Sequence, residues 1–295
     1  MKNNFTTSSL KDLENYISNK RISKIFLLTG KNSFFKSGAY KKLNKKIIEK
    51  KIKIYFKKDP NPNISELKRI FKVVKNFKPD LILAIGGGSV LDYAKIVNVL
   101  DDITNLNDDI LNGKCVLKKQ NHRLLAIPTT AGSGAEATST AVIYINNKKY
   151  SIEGNLILPN DYFLIPEFIK NANQKIKASA GFDAIAQALE SLISKKSNTK
   201  SIEFALNSLE YSLKYYIKFL NNPNNDNTYA MTIASHLAGK AINISRTTAP
   251  HAISYPFTAR YNISHGHAVS LFFEKFFEFN FKNIDSSQTS FDLKK

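Results

Sequence analysis

The sequence predicts an α/β domain built on a parallel sheet, followed by an all-helical domain, and three observations lead to that reading. From residue 22 to about 162, short β-branched runs alternate with longer amphipathic stretches, the pattern of strands joined by crossover helices. Two strand runs lead straight into segments rich in glycine and hydroxyl residues, at 86–89 and 129–134. Beyond residue 166 the strand runs give way to long stretches of Ala, Leu, Ile, Ser and Lys. The boundary falls at 161–166, so the expected domains are 1–162 and 163–295. At 295 residues with 43% hydrophobic content, the chain can fill two cores.

Taken in order, strands are expected at 23–29, 53–56, 80–85 and 124–127, each short and β-branched. A helix is expected over 65–77, where Leu67, Ile70, Phe71, Val74 and Phe77 recur at helical spacing with lysines opposite. Residues 141–158 read as β structure around the turn Ile145-Asn146-Asn147-Lys148. Helices are expected at 182–194 and 202–220, and the NNPNNDN segment at 221–227 reads as a loop. No segment repeats at a fixed period.

The net charge of +19 raises nucleic-acid binding as a class, yet only five of the 43 basic residues are arginine (Arg21, Arg69, Arg123, Arg246, Arg260). Groove readers favour the arginine fork, and these lysines are spread along amphipathic segments, so no nucleic-acid partner is expected. No run of about eighteen apolar residues suits a membrane span, and the polar start MKNNFTTSSLKDLENY lacks the apolar core of a secretory signal. A cytoplasmic location with no membrane partner is expected. The lone Cys115 cannot form an internal disulfide and is read as structurally incidental.

Residues 80–95 read DLILAIGGGSVLDYAK, an apolar strand running into glycines that open a helix. Gly86, Gly87 and Gly88 permit close backbone approach, and with Ser89 they set amides toward an anion at a helix start. A second strand opens LAIPTTAGSGAEAT, where Thr129, Thr130 and Ser133 offer hydroxyls at a place where doubly wound sheets bind ligands. Neither segment is the G-x-G-x-x-G fingerprint, and GGGSVLD lacks the ending of an NTP-binding P-loop. A tight structural turn is the alternative reading of the first.

In GFDAIAQALE, Asp183 and Gln187 lie four residues apart and share one helix face. Downstream come His251 in PHAISYPF and His265 in SHGHA. Two imidazoles and a carboxylate can bind a divalent metal and leave a position open. The competing reading makes Asp183 a helix cap and the histidines ordinary core or surface residues. His122 and His236 carry no readable function, and His236 is taken as a helix-packing residue.

These five motifs, in this order, resemble the iron-containing (group III) alcohol dehydrogenases, a branch of the dehydroquinate-synthase-like fold, over about 22–267. GGGSVLD resembles the pyrophosphate loop and IPTTAGSGAEAT the nicotinamide-side loop. The resemblance implies NADPH or NADH as cofactor and a divalent metal, Fe2+ or Zn2+, held by Asp183, His251 and His265. Gln187 stands where the family has a histidine ligand, and Tyr255 where it has a further histidine. Gly30 stands where NAD-preferring members carry Asp, which implies that NADPH is accepted.

The segments AGKAINISRTTAPHAISYPFTARYNISHGHAVSL and FDAIAQALES look closest to the phosphonoacetaldehyde reductase branch, which implies reduction of phosphonoacetaldehyde to 2-hydroxyethylphosphonate. Lys240, Arg246 and Arg260 flank the metal segments and are candidates to hold the anionic end of a small aldehyde. Tyr255, His267 or a metal-bound water is the candidate proton donor, and Asp92 is a candidate to orient nicotinamide or substrate, helix capping being its alternative. Members of the family carry further helices after the SHGHA segment, so the helical domain is expected to be truncated. A general aldehyde or diol dehydrogenase of the same family and a non-catalytic truncated paralogue are the alternatives, and a homodimer is the expected assembly.

Overall fold

The computed structural model describes residues 7–47 and 50–283. They fall into two compact units, Met1–Thr129 with Ser139–Ala172, and Thr130–Thr138 with Asn173–Lys295.

The first unit runs α1 (Leu10–Ile17), β1 (Lys24–Gly30), α2 (Lys31–Lys36), α3 (Ala39–Ile47), β2 (Lys51–Lys57) and α4 (Ile64–Phe77). It continues with β3 (Leu81–Gly86), α5 (Gly88–Val99), α6 (Leu106–Leu111) and β4 (Arg123–Pro128). The hairpin β5 (Thr140–Ile145) and β6 (Lys148–Glu153) follows, then β7 (Asp161–Tyr162) and α7 (Pro166–Lys170). The main sheet has the order β2-β1-β3-β4-β7, and every pair is parallel. Strand β3 is buried at every position, as its unbroken LILAIG run requires of a strand covered on both faces. The order reverses between β1 and β3, which places a ligand-binding switch point at the carboxyl ends of these strands.

Some elements depart from the sequence reading for identifiable reasons. Helix α1 was not anticipated; Ser9 and Asp12 form a reciprocal capping box that starts it. The expected β run 141–158 ends at Glu153, because Gly154 turns the chain at φ 149° into a short 3-10 turn at Asn155–Ile157. The hairpin turn itself has Asn146 and Asn147 left-handed at φ 49° and 59°, as a two-residue type I′ turn needs.

Asp80 clamps the starts of β1 and β3. Its carboxylate accepts from Ser23 Oγ at 2.7 Å and from the Ser23 and Lys24 amides at 2.8 Å each. The Ser23 hydroxyl foremost, then the two amides, hold its carboxyl below the usual aspartate range. A group depressed on folding contributes stability above its ordinary pKa, and that stability is lost as pH falls through the folded value. Asp80→Asn is therefore expected to lower Tm by about 2–4 °C at neutral pH. The gap to wild type should close as pH falls below the ordinary aspartate range, as thermal melts across pH would measure.

The second unit is helical among the described residues: α8 (Gln174–Ile193), α9 (Thr199–Asn221), α10 (Asn225–Ser245), α11 (Ala249–Tyr261) and α12 (His265–Lys282). Helix α8 begins well before the expected 182 because the Asn173 side chain caps it, accepting from the Ile176 amide at 2.8 Å. The expected loop 221–227 shrinks likewise, since Asn224 caps α10 through the Asn227 amide at 2.8 Å. Ala184, Ala188, Ala205, Ala238 and Ala241 let α8, α9 and α10 approach closely around a shared core. Segment Thr130–Thr138 packs with these helices, with Gly134, at φ 56°, against the Gly239 backbone of α10. Among the described residues no helix is long and apolar enough to cross a membrane.

Candidate metal centre and anion loop

In the first unit, β3 ends at Gly86 and α5 opens after the N-cap Gly87, which offers no side chain to the helix amides. Val90 N–H donates to the Gly87 carbonyl at 2.9 Å, so the Gly88 and Ser89 N–H groups are those the helix start can offer to an external anion, favoured further by the helix dipole. A Cβ on Gly86 would lie 2.5 Å from a Val90 methyl, so glycine is needed for α5 to start this close to the strand. Gly88 and Ser89 form the first turn of α5 and are partly exposed. The Thr129 amide donates to the Gly86 carbonyl at 3.0 Å, which joins the two strand-end loops. Its hydroxyl is buried with no hydrogen-bond partner, which leaves it open to a polar group of a ligand. Thr130 and Ser133 follow in the segment that folds with the helical unit. Gly30 closes β1 with an ordinary extended φ of −89°.

Asp92 is no helix cap: it sits inside α5, a turn beyond the uncapped Gly87. Burial pushes its carboxyl up to about 6, against the opposing pull of Lys95 and the Val142 amide. Lys95 Nζ lies 3.9 Å from it and donates to the Thr140 carbonyl at 2.6 Å, so the pair ties α5 to the β5–β6 hairpin.

In the second unit, Asp183, His251 and His265 bring one ligand atom each within 4.8 Å of one another. His251 Nε2 lies 3.2 Å and His265 Nε2 3.8 Å from Asp183 Oδ1. Asp183 is buried in mid-helix on α8, which rules out the capping reading. Gln187, one turn on, donates from Nε2 to Asp183 Oδ2 at 3.2 Å, while its Oε1 is buried without a partner. His251 lies in the first turn of α11 and His265 opens α12, their rings edge to face at 5.3 Å.

Burial acts to lower the His251 pKa, but Glu190 and Asp183 outweigh it and hold the ring up to about 10. This cluster therefore calls for positive charge. Together with the orphaned Gln187 oxygen and a donor set of two imidazoles and one carboxylate, that demand suits a divalent cation with an open position.

Glu190, which the sequence reading passed over, is fully buried one helical turn beyond Gln187. Asp183, Gln187 and Glu190 share a face at spacings of four and three, and that repetition was the available signal. Tyr255 is brought to the cluster, its ring stacked on His265 at 6.0 Å and 25°. His267 is exposed on α12 and stands outside the cluster. The Lys240 ammonium lies 5.4 Å from the Phe204 ring centre, and burial lowers its pKa. Arg246 ends α10 at φ 66°, unusual for a residue with a side chain, and Arg260 is exposed near the end of α11. His236 does more than pack: its Nδ1 pairs with buried Glu136 at 3.0 Å and fastens the Thr130–Thr138 segment to α10.

The family described as iron-containing alcohol dehydrogenase matches residues 2–166, and the C-terminal region of the Fe-containing alcohol dehydrogenase family matches 177–290. The 4-hydroxybutyrate dehydrogenase of Clostridium kluyveri is 31% identical over 74% of this chain and 59% of its own length. The phosphonoacetaldehyde reductase of Streptomyces viridochromogenes is 30% identical over 70% of this chain and 55% of its own. The chain thus spans less than two thirds of either relative. Among solved structures, the sulfoacetaldehyde reductase of Bifidobacterium kashiwanohense in complex with NAD+ superposes with a TM-score of 0.82 at 26% identity, covering 92% of this chain and 73% of that one.

Proposed function

The chain belongs to the iron-containing alcohol dehydrogenase family, and on that premise we propose that it reduces an aldehyde bearing an anionic group to the primary alcohol. In this reading phosphonoacetaldehyde is the first substrate, NADPH or NADH the reductant and a divalent metal the electrophile. The observation that carries the proposal is the convergence of Asp183, His251 and His265 beside the orphaned Gln187 oxygen. The named substrates of the three relatives, 4-hydroxybutyrate, phosphonoacetaldehyde and sulfoacetaldehyde, carry a carboxylate, a phosphonate and a sulfonate, which supports an anionic class. We place the reaction in the cytoplasm, where reduced nicotinamide is supplied.

When bound, an Fe2+ or Zn2+ ion supplies Lewis acidity at the carbonyl oxygen, and the nicotinamide supplies the hydride. The chain's own part is to hold and orient these groups. Asp183, Gln187, His251 and His265 form the metal site, and Gly86, Gly87, Gly88 and Ser89 receive the pyrophosphate at the start of α5. Thr129, Thr130 and Ser133 serve the nicotinamide side. Tyr255 Oη donates the proton that completes the alcohol, being the candidate donor stacked on the metal-ligand ring of His265. Lys240, Arg246 and Arg260 are assigned to the anionic end of the substrate.

NADPH oxidation with phosphonoacetaldehyde beside propanal at equal concentration tests the substrate class. The proposal expects a strong preference for phosphonoacetaldehyde; equal rates would leave a general aldehyde reductase, and no rate with either would favour a non-catalytic paralogue. Cofactor choice has its own test at Gly30. An aspartate there would oppose the 2′-phosphate, like charges costing several kcal/mol when juxtaposed, and its Cβ would lie 2.9 Å from the Ser33 hydroxyl, which a χ1 rotation can move aside at the cost of its bond to the Gly30 carbonyl. Gly30→Asp is expected to lower kcat/KM for NADPH relative to NADH by about tenfold or more, read from initial rates with both cofactors.

A further inference from the structure

Glu190 has no role in the proposed reaction, yet it is fully buried and its contacts converge on one metal-site histidine. Its Oε1 pairs with His251 Nδ1. Its Oε2 accepts from the Thr248 amide at 2.5 Å and the Thr248 hydroxyl at 2.8 Å. Thr248 is the N-cap of α11 but makes no side-chain cap bond itself, so Glu190 on α8 places its negative charge at the start of the helix that carries His251. One carboxylate thereby fixes the position of a helix end and the orientation of the ring on its first turn.

We propose that Glu190 is a positioning residue that keeps the proton of His251 on Nδ1 and turns Nε2 toward Asp183 and the metal. The role rests on the metal site of the proposed function. The imidazole has two nitrogens and only one can ligate in this orientation; the partner of the other decides which. A carboxylate can only accept here, so Nδ1 must donate and Nε2 is left to the metal. The opposite result follows from an amide of the same shape. Its carbonyl oxygen would serve Thr248, its NH2 would donate to Nδ1, and the ring proton would be driven to Nε2, where it blocks ligation.

Glu190→Gln separates this role from mere packing, because it preserves volume and the bond to Thr248. Two readouts are taken on wild type and variant: Zn2+ affinity by competition with a chromophoric chelator, and the His251 ring signals by 15N NMR with and without Zn2+. The variant is expected to bind Zn2+ about 10–100-fold more weakly and to lose the proton signal at Nδ1 that wild type retains in both states. Thr248→Val, which keeps the carboxylate and the amide donor, should retain the Nδ1 signal. Unchanged Zn2+ affinity in Glu190→Gln, or an Nδ1 without a proton in wild type, would overturn the proposal. Should wild type bind no Zn2+, the metal reading itself fails, whereas the Nδ1 signal of the metal-free protein still decides whether Glu190 orients the ring.

Discussion

Asp183→Ala is expected to abolish aldehyde reduction, with kcat/KM falling about 10^3-fold or more, while nucleotide affinity stays within about twofold of wild type. The carboxylate is buried, has His251 Nε2 at 3.2 Å and His265 Nε2 at 3.8 Å from one oxygen and accepts from Gln187 on the other, so it is the anionic centre of the cluster. Without it a cation keeps two neutral imidazoles and a neutral amide, and loses the only charged ligand of the set. A loss of about 10^3 corresponds to about 4 kcal/mol of transition-state stabilisation, within what a Lewis-acid metal supplies. The glycine loop at Gly86–Gly88 belongs to the other unit, which is why nucleotide binding should persist. Steady-state rates beside fluorescence titration with NADPH would separate the two effects. Asp183→Asn, closer in shape, guards against a change in folding.

Gly266→Ala is expected to weaken the metal site although it adds one methyl group. An added Cβ would sit 1.9 Å from the Ser179 carbonyl oxygen of α8 and 3.0 Å from Asp183 Cβ. The first obstacle is backbone and cannot rotate away, so the start of α12 must move. His265 is the preceding residue and would move with it, away from Asp183. Overpacking of this kind costs about 1–3 kcal/mol, and a similar loss at the metal corresponds to about a 5- to 150-fold drop in affinity. Thermal melts and Zn2+ titration of the variant should both fall. A variant with normal affinity would show that α12 is not fixed to α8 by this contact.

Much of this site could be read from the sequence because its signals are local. Gly86, Gly87 and Gly88 follow an apolar strand run and open a helix, and the structure ends β3 at Gly86 and starts α5 at Gly88, although that helix is buried from Val90 to Val99 and not amphipathic as its sequence reads. Asp183 and Gln187 share a face by spacing alone. What remained hidden depends on distant partners. Glu190 looks like any polar residue in ALES until α11 brings Thr248 and His251 to it, 58 and 61 residues away. His236 is fixed by Glu136, 100 residues before it, and reads as packing without that partner. Helix starts were displaced by caps at Asn173 and Asn224, whose side chains can equally sit in loops. The family resemblance supplied what spacing could not, namely that His251 and His265 belong with Asp183.

The most direct test of the central claim is NADPH oxidation with phosphonoacetaldehyde before chelation, after chelation and after return of Fe2+ or Zn2+, for wild type and Asp183→Ala. Activity that disappears with the metal and returns with it in wild type, and never appears in the variant, is the predicted result. A wild-type rate indifferent to chelation, or an Asp183→Ala rate equal to it, would contradict a metal centre at Asp183, His251 and His265.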